Sequence, residues 1–189
     1  METRSRSESF RAFWDKAGML FLFAALFIAC SIFVPNFLTV TNMRGLALAI
    51  TTTGMVACTM LFCLAAGDFD LSIGSVVACA GVLTAVVINK SGSVTQGIAA
   101  GLLFGGLVGL TNGVIVARFR INALITTLAT MQIVRGIGHI VSQGKAVSVS
   151  QESFFSLGNS AFLGIPTPVW LTILCFVVFG LMMQYTIFG

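Results

Sequence analysis

Charge is scarce in this chain. Its 189 residues include ten Lys and Arg, six Asp and Glu and one His, and charged residues make up 8% of the whole. With 57% hydrophobic residues and a mean hydropathy of +1.03, too few polar side chains remain to clothe a soluble globule of this length. That excludes an aqueous fold and leaves lipid as the main solvent. The single histidine, His139, has no cysteine or acid near it in sequence with which to form a nucleophile and base pair. The five cysteines, Cys30, Cys58, Cys63, Cys79 and Cys175, sit inside apolar runs without paired spacing or a neighbouring histidine, so no metal site is expected and packing or lipid-facing roles remain. Phe27-Ile28-Ala29-Cys30 is loosely similar to a lipoprotein cleavage site. The apolar run continues through Val34 and more spans follow, which favours an uncleaved helix. A phosphate-binding loop of the G-x-x-x-x-G-K-[ST] type is also missing, since Gly144-Lys145 runs on into Ala146-Val147. Neither enzymatic activity of its own nor a cofactor is expected.

What is present is a series of long apolar runs. A bilayer core about 30 Å thick needs roughly 20 helical residues to cross it. Six stretches qualify: 17–34, stopped by Pro35-Asn36; 45–66; 71–88; 97–117; 121–141, which carries Arg135 and His139; and 169–185, behind Pro166-Thr167-Pro168. The expected fold class is all-α, a polytopic transmembrane helical bundle of about six spans over residues 17–189, preceded by a cytoplasmic tail over 1–16.

The positive net charge is mostly a topology signal, because basic residues near span ends are retained in the cytoplasm. Arg4, Arg6, Arg11 and Lys16 precede the first span, and alternation returns Arg118 and Arg120 to the same side. Only Arg44, Lys90 and Lys145 are left outside, so a cytoplasmic N-terminus is expected and nucleic-acid binding is not. The 145–168 stretch becomes an outer loop, and Thr186 to Gly189 falls on the cytoplasmic face.

Four glycines at four-residue spacing, Gly101, Gly105, Gly109 and Gly113, strip side chains from one face of the fourth span and suit a packing seam within the bundle or at a subunit interface. Asn112 lies beside that seam and can donate across it. Between the second and third spans, the run Gly67-Asp68-Phe69-Asp70-Leu71-Ser72-Ile73-Gly74-Ser75 brings two carboxylates into a tight turn. One reading is a turn in which Asp70 or Ser72 caps the following helix. The other is a broken-helix element with Asp68 and Asp70 lining a polar cavity, because ionisable groups at membrane depth are expensive and usually functional.

The fifth span has two polar faces when drawn as a helix. Asn122, Thr126 and Thr130 lie on one, and Gln132, Arg135 and His139 cluster on another. Interhelical hydrogen bonds with a snorkelling arginine would account for them, as would a helix lining the route of a polar solute. In the outer loop, Gln151-Glu152-Ser153-Phe154-Phe155-Ser156-Leu157-Gly158 is short and amphipathic. It suits either a helix on the membrane surface, with Phe154, Phe155 and Leu157 inward, or a docking surface for a soluble partner.

At these residues a resemblance becomes specific. The GDFDLSIGS turn, the stretch INALITTLATMQIVRG over Ile121 to Gly136, and the closing Thr186-Ile187-Phe188-Gly189 resemble the permease subunits of bacterial monosaccharide ABC importers, the ribose, xylose, galactose and arabinose group. The wording of AGMLFLFAALFIACSIFVPNF and GMVACTMLFCLAAGDFDLS is most similar to the L-arabinose members. The resemblance implies an inner-membrane protein of roughly ten helices that works as a pair with a second permease subunit, with cytoplasmic ATP-binding subunits and a periplasmic sugar-binding protein. Gln151, Glu152, Phe154 and Phe155 would then lie near the contact with that binding protein. In the family, T-x-F-G leads into the loop that couples to the ATPase. The sequence is therefore expected to be the N-terminal part of such a permease, unable by itself to bind the ATPase or support sugar uptake. Two other classes remain open: a secondary sugar transporter, although spans one to three and four to six share no second GDFDLS-like turn, and a non-transporting membrane scaffold.

Overall fold

A computed structural model describes residues 6–186. The tail residues 1–5 and the end of the T-x-F-G motif, residues 187–189, lie outside the described residues. The chain divides into two compact units, Met1–Leu46 and Ala47–Gly189.

The first unit holds helix α1, Arg6–Phe33, and the start of α2, Val40–Ala65. The segment expected as a tail over 1–16 is thus helical from Arg6 onward and continuous with the apolar run. Pro35 ends α1 as expected, since its ring cannot continue a helix, and Asn36 takes the left-handed conformation at φ 61°. Thr39 then starts α2, its Oγ1 accepting from the backbone N–H of Asn42 at 3.4 Å.

The second unit continues α2 and adds α3 (Ile73–Ser91), α4 (Val94–Phe119), α5 (Ala123–Ser142), the short α6 (Glu152–Asn159), a two-stranded hairpin of β1 (Ala161–Phe162) and β2 (Ile165–Pro166), and α7 (Thr167–Tyr185). Among the described residues, α2, α3, α4, α5 and α7 are long and apolar enough to cross a membrane. The apolar part of α1, 17–33, is shorter. The chain is a multi-pass membrane protein.

Helix α3 is the hub of this unit, packed chiefly against α4 and α5. The α3–α4 turn is tight because Gly92 caps α3 in the left-handed conformation at φ 71° and Ser93 caps α4, accepting from Gln96 N–H at 3.4 Å. Just beyond it, α4 comes closest to α3. A methyl at Gly97 would meet the Ile88 side chain and lie 2.7 Å from the Thr84 carbonyl oxygen, and one at Gly101 would strike Thr84 Oγ1. The glycine seam is therefore closed at Gly97 and Gly101 and loosens at Gly105, where the nearest atom, Val76 Cγ1, is 3.8 Å away. At Gly109 and Gly113 nothing lies within 4 Å, so within this chain the seam is not closed at these two positions.

Large apolar side chains such as Leu102, Leu103, Leu107 and Leu110 are exposed on α4, whereas the buried set is rich in small and hydroxylic groups: Ser72, Ser75, Asn112, Thr126, Thr127 and Thr172. That inversion is what lipid as solvent dictates. Leucine gains nothing by leaving hydrocarbon, while small polar residues allow close approach and hydrogen bonds between helices.

Candidate functional site

The turn between α2 and α3 is built by two successive local devices. Gly67, at φ 82°, ends α2. Its N–H donates to Leu64 O at 3.0 Å, and the Asp68 N–H donates to Cys63 O at 2.9 Å, the paired bonds of a Schellman cap. Three residues on, Asp70 Oδ1 accepts from both the N–H of Ser72, at 2.8 Å, and its hydroxyl, at 2.6 Å. Ser72 occupies the N-cap position of α3, but its hydroxyl makes no capping bond. The cap expected of Ser72 is replaced by a bond to Asp70, and the freed oxygen lone pairs face α4.

There Asn112 Nδ2 donates to Ser72 Oγ at 3.1 Å, and Asn112 Oδ1 accepts from Thr130 Oγ1 of α5 at 2.6 Å. A continuous chain, Asp70–Ser72–Asn112–Thr130, thus joins the turn to α4 and α5. Ser72 is 1% exposed and Asn112 6%, and each has the partners its burial demands. A second tie runs beside it: Thr127 Oγ1 accepts from the Leu71 N–H at 3.2 Å.

Two clefts meet at Asp70. One, of about 550 Å³, is walled by α2, α3, α4 and α7, with Thr59, Gly105, Gly109 and Phe179 among its lining and Asp70 and Ser72 at its polar end. The other, of about 300 Å³, takes in Asp68, Asp70, Asn112, Gly113 and Thr127. The open glycines, Gly109 and Gly113, are walls of these clefts. Asp70 is only partly buried, its Oδ1 is committed to Ser72, and no side-chain polar atom in the described residues is buried without a partner, so its second oxygen opens to the clefts.

The polar residues expected on α5 separate into distinct roles. Thr130 belongs to the chain. Asn122 is the N-cap of α5, its Oδ1 accepting from Leu124 N–H at 2.9 Å and Ile125 N–H at 3.3 Å. Thr126 is buried and donates back to Asn122 O at 3.1 Å. Gln132 is exposed. Arg135 and His139 line a third recess of about 340 Å³ between α3 and α5, together with Lys145.

Asn112, expected beside the glycine seam as a donor across it, joins the turn before α3 to α5. Its signal was a lone amide in an apolar span.

In the loop, Gln151 Nε2 donates to Gly92 O at 2.9 Å and Asn89 Nδ2 to Ser148 O at 2.8 Å, lacing 148–151 to the α3–α4 turn. Helix α6 carries exposed Glu152 and Phe155 and half-buried Phe154. The hairpin after it was not foreseen. It turns at Leu163 and Gly164, both with positive φ, and is braced by Trp170, whose Nε1 donates to Phe162 O at 3.2 Å.

The chain matches the family described as "Branched-chain amino acid transport system / permease component" over residues 42–189. It is 62% identical over 183 residues to the L-arabinose transport system permease protein AraH of Escherichia coli (strain K12), covering 97% of this chain and 56% of that protein. The L-arabinose ABC transporter permease protein AraH of Azospirillum brasilense is 50% identical over 175 residues, 93% of this chain and 52% of the relative. The ribose import permease protein RbsC of Haemophilus influenzae is 32% identical over 159 residues, 82% of this chain and 49% of the relative. The chain spans about half the length of the curated relatives it matches. No solved structure matches it.

Proposed function

The chain belongs to the permease component family of branched-chain amino acid transport systems, and from that premise we propose that it forms part of the translocation pathway of an ATP-driven importer of a monosaccharide, L-arabinose. The family description names amino acids, but the relatives at 62% and 50% identity are named for L-arabinose, and identity at that level is the closer guide to solute. The protein works in the bacterial inner membrane with its N-terminus in the cytoplasm, in keeping with the distribution of basic residues.

The observation that carries the reading is the partly buried chain Asp70–Ser72–Asn112–Thr130, with two clefts lined by the carboxylate. A solute rich in hydroxyls needs donors and acceptors within an otherwise apolar bundle, and these side chains supply both. Asp70 offers its second oxygen as an acceptor. Alternating access would break and remake such a chain as the helices shift, with ATP binding and hydrolysis in separate subunits biasing the two states.

The partners are a second permease subunit, cytoplasmic ATP-binding subunits and a periplasmic sugar-binding protein. For the last of these, the contact on the outer side is α6 and its N-cap, where exposed Glu152 and Phe155 stand beside half-buried Gln151 and Phe154. Sugar choice rests mainly with the binding protein.

The test is a chimera in which this chain replaces the aligned 183-residue segment of the Escherichia coli relative. In a strain lacking its own arabinose permease, growth on L-arabinose is expected. No growth, despite normal membrane levels of the chimera, contradicts the reading.

A further inference from the structure

Arg135 stands deep inside the bundle. A Cβ on Gly138 would lie 3.6 Å from Cys79 Cβ, so those two residues share a level. Arg135, three residues before Gly138 on α5, lies about 4.5 Å further in along the helix, at the level of Val76. Val76 in turn is the nearest neighbour of Gly105, close to the middle of α4. Counted along α3, that level is about 22 Å from the α3–α4 turn at 1.5 Å per residue. This is well within a hydrocarbon core about 30 Å thick. Yet the Arg135 side chain is exposed, and it makes no hydrogen bond or ion pair with a described residue. A guanidinium at such depth needs water or a polar solute against it, because hydrocarbon does not solvate it.

What it lines is the α3–α5 recess, whose volume of about 340 Å³ falls within the range of small-molecule sites. The recess follows both helices. At one end is Lys145, returned there by the chain reversal at Gln143, φ 54°, and Gly144, φ 68°. At the other are Gly74 and Ser75 on α3 and Val134 on α5, each about one turn from a member of the Ser72–Asn112–Thr130 chain. The recess therefore stops where that chain ties α3, α4 and α5 together, and the cleft that holds Asp68 and Asp70 continues inward to Ala123. No carboxylate lines the recess. Its polar groups are mainly donors, and the oxygens of a sugar accept such bonds, two adjacent oxygens matching the planar fork of a guanidinium. The small apolar walls at Cys79 and Val82 suit the C–H face of a sugar ring. Arg135 and Lys145, without a counter-charge between low-dielectric walls, set up a positive potential that a neutral solute crosses freely and a cation does not.

Building on the permease reading and its orientation, we propose that the α3–α5 recess is the outer limb of the sugar path, in which Arg135 holds two adjacent hydroxyls of a monosaccharide and, with Lys145, bars cations. The Ser72–Asn112–Thr130 chain closes its inner end.

The test places a thiol in the recess by Ala78→Cys, an exposed lining position on α3 near the level of Arg135. Spheroplasts carrying the chimera with the Escherichia coli relative are treated with anionic methanethiosulfonate ethylsulfonate or cationic methanethiosulfonate ethyltrimethylammonium. The unsubstituted chain reports the native cysteines, Cys79 among them. Relative to their rates with a free thiol, the anionic reagent should label position 78 about tenfold faster than the cationic one. Excess L-arabinose should slow labelling at least about twofold, the factor when half the sites are filled. Arg135→Gln should abolish both effects. Arg135→Lys keeps the charge without the fork, so the preference should stay and the slowing should be lost. If Arg135→Gln does not fold, Lys145→Gln in the loop reads the same field and should lower the preference. Arg118→Gln, at the other end of the helices, should change neither. Labelling is read whether or not sugar is taken up, so failure here is distinct from failure of the chimera to grow. No labelling from outside, equal rates for the two reagents, no slowing by L-arabinose, or slowing that survives Arg135→Lys would overturn the proposal.

Discussion

Thr130 on α5 donates its hydroxyl to Oδ1 of Asn112 on α4 at 2.6 Å, and through that amide the two helices share one hydrogen-bonded chain with the turn before α3. The bond matters because Asn112 has both ends of its amide engaged, so loss of the side chain leaves the Thr130 hydroxyl without this acceptor and the Ser72 oxygen with only its bond to Asp70.

Asn112→Ala leaves Ser72 Oγ without its donor and Thr130 Oγ1 without its acceptor. Each loss of this kind costs about 1–3 kcal/mol when the remaining group stays buried. A clear fall in unfolding midpoint in detergent is expected. Thr130→Val should cost less, and the two effects should be non-additive in a double-mutant cycle, because both substitutions remove the same bond.

The glycine seam separates into two kinds of position. Gly101→Ala forces a methyl onto Thr84 Oγ1 and should destabilise by about 1–3 kcal/mol through overpacking. Gly109→Ala meets nothing within 4 Å and should be neutral or stabilising by up to about 1 kcal/mol, the helix-propensity difference between the two residues. Thermal unfolding of the two variants side by side distinguishes them.

Much of this was legible in the sequence, and what was not has a physical cause. Every boundary of the second to sixth apolar runs falls within about five residues of those of α2, α3, α4, α5 and α7, since hydrocarbon thickness dictates span length and Pro35, Gly67 and Gly92 punctuate the chain. The carboxylate turn was visible as an anomaly of charge. That the Ser72 hydroxyl bonds Asp70 and Asn112 in place of capping α3 was not, because its partner amide lies forty residues away. Asn122 was grouped with Thr126 and Thr130 by helical spacing, although an Asn just ahead of an apolar run is itself an N-cap signal. The seam's closed end, at Gly97 and Gly101, depends on the tilt of α4 against α3, which a repeat of four residues does not specify.

Asn122→Ala should lower stability by about 1 kcal/mol, the usual cost of an N-cap, without disturbing the buried chain. Retention of the Asn112–Thr130 coupling energy in an Asn122→Ala background checks this.

The orientation makes an independent prediction. A cysteine at Lys145 should react with a membrane-impermeant maleimide in cells whose inner membrane is intact, whereas a cysteine at Arg118 should react only after that membrane is permeabilised. The opposite pattern would invert the topology.

Uptake by an ATP-driven permease depends on its ATP-binding subunit. In cells carrying the chimera with the Escherichia coli relative, labelled L-arabinose should accumulate against its gradient, and accumulation should vanish when the ATP-binding subunit is deleted. Accumulation that persists without that subunit, or that a protonophore abolishes in ATP-replete vesicles, would contradict an ATP-driven permease.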